Sequence, residues 1–113
     1  MDSPALNEAE AHARERLVSL CRQMLSGELS YFEGAIEVCS LRFKVGARDT
    51  DVDLMAFVLI QSETDHLPNS RVQAFCSALK IQQLQPEFEK TEAWAKGFAP
   101  QACKNLIARF AFQ

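Results

Sequence analysis

The chain has 113 residues, 48% hydrophobic and 24% charged, with a net charge of −3. That length suits one domain, and that composition excludes a disordered chain, which needs low hydrophobicity and a high net charge. Lysines and arginines are scattered singly, against nucleic-acid binding, which shows itself as a basic stripe; the longest apolar run, residues 54–60, is far short of the roughly 20 residues a membrane span needs.

Residues 4–26 read as a helix. Pro4 suits the first helical position after Asp2 or Ser3 as cap. Leu6, Ala9, Ala13, Leu17, Leu20, Cys21 and Met24 recur at three- and four-residue steps, which makes one apolar stripe. Gly27 is the expected stop. No apolar run follows a basic start in the first 30 residues, so no signal peptide is expected and a cytoplasmic protein is. Residues 30–45 read as a second helix opened by a capping box, Ser30-Tyr31-Phe32-Glu33. Its stripe is Phe32, Ile36, Cys39 and Phe43, widened by Val38, Leu41 and Val45, and Gly46 ends it.

Residues 51–61 are ambiguous between strand and helix. A single short strand would have no partner. Thr50 can cap a helix, with Asp51 and Asp53 near its positive end, so we read a helix with Val52, Met55, Ala56, Leu59 and Ile60 on its inner side. Residues 62–69 read as a loop. A fourth helix is expected from Ser70 to about Gln85, with Val72, Phe75, Cys76 and Leu79 facing inward. Pro86 either kinks it or opens the next helix, which carries Phe88, Trp94, Ala95 and Phe98; Trp94 reads as core. Gly97 and Pro100 mark a break, and a last helix at about 100–111 carries Cys103, Leu106, Ile107 and Phe110. The expected fold is all-α: a single-domain antiparallel bundle of five to six short helices. The four cysteines lie far apart, without zinc spacing, and read as reduced core thiols.

Chemistry concentrates in Ser62-Glu63-Thr64-Asp65-His66-Leu67-Pro68. Ser62, Asp65 and His66 are the residue types of a hydrolase triad, but adjacency in sequence does not supply the required order of hydrogen bonds, and no G-x-S-x-G turn exposes the serine. Glu63, Asp65 and His66 are suitable ligands for a divalent ion, yet three ligands within four residues do not wrap one ion unaided. The plainer expectation is a corner tied by local hydrogen bonds. A third reading is recognition: from Asp49 to Asp65 there are five carboxylates and no Lys or Arg, so Asp49, Asp51, Asp53, Glu63, Asp65 and His66 would form an acidic face that steers a basic protein partner.

The motif, with Leu41-Arg42-Phe43 before it and Glu92-Ala93-Trp94-Ala95 and Cys103-Lys104-Asn105-Leu106-Ile107 after it, resembles a pattern in small uncharacterised bacterial domains. In size, acidity and helical make-up the chain also resembles the immunity proteins that bacteria encode beside secreted toxins. That resemblance implies a cytosolic protein that occludes a cognate toxin, without a cofactor or chemistry of its own. Two alternatives stand beside it: a metal-dependent or hydrolytic enzyme centred on Glu63, Asp65 and His66, and a structural homodimer that leaves Phe and Leu side chains of one helix exposed for self-association.

Overall fold

In the computed structural model of the chain, residues 4–111 are described, with side chains from residue 8 onward. The expected caps Asp2 and Ser3, and the side chain of Leu6, lie outside the described residues. The fold is all-α: α1 (Pro4–Ser26), α2 (Tyr31–Leu41), α3 (Val52–Glu63), α4 (Ser70–Gln73), α5 (Ala78–Ala95) and α6 (Ala99–Phe110).

Four helices close a ring. α1 packs on α2 and α6, α3 packs on α2 and α6, and the core fills the space between them. α1 contributes Ala13, Leu17, Leu20, Cys21 and Met24, the stripe that the spacing predicts, although Ala9 is exposed. α6 contributes Cys103, Leu106 and Phe110. Gly27 and Gly46 both take positive φ, 86° and 79°, as turns after a helix require. The Gly46 turn is tied to α1 by Arg14, whose Nε donates to the Val45 carbonyl at 2.8 Å.

α2 is shorter than expected and ends at Leu41. The chain then turns, Lys44 N–H donating to Leu41 O at 2.8 Å. Val45 stays buried, but Phe43 leaves the stripe for solvent, under the Arg42 guanidinium. Half of the capping box forms: Glu33 N–H donates to Ser30 Oγ at 3.1 Å. The Glu33 carboxylate instead accepts from Ser70 N–H at 2.8 Å, which fastens the start of α4 to α2. The free amides of α2 go to Glu92 of α5, whose two oxygens accept from Tyr31 N–H (2.8 Å) and Phe32 N–H (2.9 Å). A carboxylate at a helix N-terminus is doubly favourable, through these bonds and through the helix dipole.

The segment that could have been a strand is a helix. Its cap is Asp51 rather than Thr50, with Oδ1 accepting from Asp53 and Leu54 N–H. Of the residues expected on the inner side, Ile60 is buried and Ala56 packs against the core, but Val52, Met55 and Leu59 face outward. Leu54, Phe57 and Ile60 are the buried residues, while Val52 is 82% exposed and Met55 and Leu59 are exposed too.

The expected long fourth helix is two helices. Asn69 Oδ1 accepts from Val72 N–H and Ser77 Oγ accepts from Lys80 N–H. Two side-chain caps eight residues apart make two helix starts, and α4 stops after one turn. Val72, Phe75 and Leu79 therefore point out instead of in, and Cys76 is only half-buried. Pro86 does not open a helix: α5 runs through it. Trp94 is 40% exposed instead of core, stacked edge-to-face on Phe98 with centroids 5.1 Å apart. All four cysteines are free; Cys21 and Cys103 are core residues, Cys39 only partly so.

α5 lies outside the ring. It rests on α2, through Glu92 and the Phe32–Phe88 ring pair (5.3 Å), and Ala95 is its one fully buried residue. Its first half carries α4 away from the core. The molecule is accordingly drawn out to 55 × 29 × 24 Å, and its radius of gyration, 15.2 Å, exceeds the about 13 Å of a compact domain of this size.

Candidate functional site

The six residues expected to share a face sit at the two ends of α3. A 12-residue helix is about 18 Å long, so Asp49, Asp51 and Asp53 are a helix length away from Glu63, Asp65 and His66.

At the first end, the carboxylates are already engaged. Asp51 Oδ2 lies 2.7 Å from Arg109 Nη2 and Asp53 Oδ2 lies 3.3 Å from Arg109 Nη1, while Asn105 Nδ2 donates to Asp53 Oδ1 at 2.9 Å. Asp51 thus does two tasks: it caps α3 and it binds α6. The Arg109 guanidinium hydrogen-bonded to Asp51 is the main reason its carboxyl stays below the ordinary carboxylate pKa, with the helix amides adding to the effect and partial burial opposing it. The same pairing raises Arg109. Asp49 remains exposed, and Arg42 Nη2 donates to its backbone carbonyl.

A pH dependence follows. A carboxyl whose folded pKa is depressed stabilises the fold above its unfolded pKa, about 4, and that stabilisation is lost as pH falls through the folded value. Asp51→Asn keeps a competent cap and removes the charge. Urea unfolding should therefore show Asp51→Asn less stable than the parent by about 1 kcal/mol at neutral pH, the two converging in acid. A gap that persists unchanged in acid would refute the ion-pair origin.

At the second end the corner is tightly built. Thr64 is buried, its Oγ1 donates to Ile60 O at 2.6 Å, and Leu67 N–H donates to Thr64 O at 3.0 Å. Leu67 plugs back into the protein. Gln73 Nε2 donates to Pro68 O at 2.9 Å and so braces the loop against α4. Glu63, Asp65 and His66 ring this corner in solvent, and His66 Nε2 faces Glu87 of α5 at 3.5 Å. Among the described residues no hydrogen bond joins Ser62, Asp65 and His66, and no cluster of three His, Cys, Asp or Glu could hold a metal ion. Cys21 and Cys103 share a hydrogen bond that holds the Cys21 thiol far above the ordinary thiol pKa, with burial adding to it, and lowers that of Cys103, with burial opposing; both side chains are enclosed in the core.

Between the two ends runs the feature that composition alone did not orient. Val52, Met55 and Leu59 follow one line along the outer face of α3, at three- and four-residue steps, and Glu63 falls at its end. Asp51 and Asp53 turn instead toward α6. The surface thus has an apolar centre and carboxylates at its ends, Asp49 before the helix and Glu63 and Asp65 after it. The signal for this face was the helix's apolar character on every side, which marks a helix to be covered on every side.

No protein-family model matches the chain, and neither a curated protein nor a solved structure matches it significantly. Among the described residues no helix is long and apolar enough to cross a membrane.

Proposed function

We propose that the chain is a non-catalytic protein-binding module that works by covering part of another protein, in the manner of an immunity protein on a toxin. The observation that carries this reading is the exposed apolar line Val52, Met55 and Leu59 on a helix whose other faces are buried against α2 and α6. The occupant is a protein surface with an apolar centre and a basic rim. Charge argues for that chemistry: no Lys or Arg occurs from Asp49 to Asp65, and Asp49, Glu63 and Asp65 flank the line in solvent. The rim carboxylates raise the association rate, and the apolar centre holds the complex.

A photo-crosslinking side chain at Met55, with one at Glu15 of α1 as control, tests this in the host cell. Position 55 should trap a single foreign protein and position 15 should not. That protein, purified, should bind with micromolar or tighter affinity. Leu59→Ser should weaken it by about tenfold or more without loss of helix content, and Glu63→Lys should slow association. No adduct at position 55, or a binding constant that ignores Leu59→Ser, rules the reading out.

A further inference from the structure

The second exposed apolar surface lies on the other side of the 62–68 corner, on the arm made by α4 and the first half of α5. Phe75 is 92% exposed, Leu79 63% and Val72 about half. The backbone that carries them is well tied. Phe75 N–H donates to Val72 O at 2.9 Å and Cys76 N–H to Gln73 O at 3.0 Å, so the ring is held out in water by an ordered turn. Beside it runs an open groove of about 560 Å³, walled by Leu67, Val72, Cys76 and Leu84 and edged by Asp65 and Lys80.

We infer that this arm is the contact surface for a second copy of the chain, with the Phe75 ring of each copy seated in the Leu67–Val72–Leu84 groove of the other. Three features single out a second copy as the occupant. A projecting ring and a groove able to take one occur on the same short stretch; a two-fold axis pairs both rings with both grooves at once, which is the self-complementarity that a symmetric dimer requires. The rim also carries both signs, Lys80 with Asp65. A partner of one sign gains nothing from such a rim, whereas a rotated copy can set each sign against its opposite. This contrasts with the segment that forms α3, in which no Lys or Arg occurs from Asp49 to Asp65. The area fits as well. Three such side chains expose on the order of 400 Å² of apolar surface. With the polar residues around them they approach the about 800 Å² per partner of a stable interface, roughly half of it apolar. The inference does not depend on the reading of α3.

Sedimentation equilibrium of the full chain tests it. The parent should be a dimer in the micromolar range. Phe75→Ser should raise the dissociation constant by about thirtyfold or more, with Leu79→Ser acting in the same direction. Both variants should keep the parent's circular dichroism, since neither side chain is in the core. Leu59→Ser, on α3, should leave the dimer intact. A chain that stays monomeric throughout that range, or a dimer indifferent to both Phe75→Ser and Leu79→Ser, overturns the inference. A dimer dissolved by Leu59→Ser alone would place self-association on α3 and overturn both proposals.

Discussion

Phe57→Ala should lower the free energy of unfolding by about 3–5 kcal/mol, while Met55→Ala, two residues away, should change it by about 0.5 kcal/mol or less. Phe57 is the largest of the wholly buried side chains, on a helix that packs on α2 and α6. Removing its ring leaves a cavity that three packed helices cannot collapse into. Met55 stands on the opposite side of the same helix, partly in water. Urea denaturation of both variants measures the difference. Similar losses would mean that α3 is rotated from the orientation described, and the exposed line would then not be a binding face.

Glu92→Ala should cost about 3 kcal/mol, because one carboxylate serves two helix-terminal amides and bonds to a charged acceptor are worth more than neutral ones. The loss has two parts. Tyr31 and Phe32 N–H are left without acceptors in a half-buried place, and α5 loses its main polar tie to α2. Gln in its place recovers less than half, since only its oxygen accepts and its NH₂ group faces a second donor. Equilibrium unfolding gives the total, and amide exchange at Tyr31 and Phe32 gives the local part. Exchange there that is unaltered in Glu92→Ala would contradict the bonding.

The local signals in the sequence were legible because their causes are local. Ser30 caps α2 through an amide three residues on, and Gly27 ends α1 by positive φ, whereas Gly46, also at positive φ, closes a turn five residues after α2 has ended. Among the described residues the apolar stripes of α1, from Ala13 onward, and of α6 also read correctly, since each helix has a polar side to contrast with. α3 has almost none. Leu54, Phe57 and Ile60 are no more apolar than Val52, Met55 and Leu59, so the pattern gave the helix without its orientation. The break at 74–77 was hidden for a related reason: Val72, Cys76 and Leu79 keep a helical step across it, and only Ser77 signals a new start. What decides the candidate site is longer in range. Arg109 and Asn105 claim Asp51 and Asp53 from α6, and no reading of residues 49–65 could have revealed it. The acidic run therefore divides, two carboxylates serving the fold and three left at the ends of α3.

Pro86 gives α5 an internal seam. It has no N–H for the carbonyl of Gln82, so the helical ladder lacks a rung at the middle of the helix. Inboard of the seam, Phe88, Glu92 and Ala95 are held by the ring of four helices; outboard, the helix is nearly free of the core. The outboard half should therefore open and reclose more readily than the ring, which amide exchange on either side of Pro86 would show. Whatever seats itself on Phe75 closes that motion down, so occupancy of the arm registers as slower local opening with no change in the core.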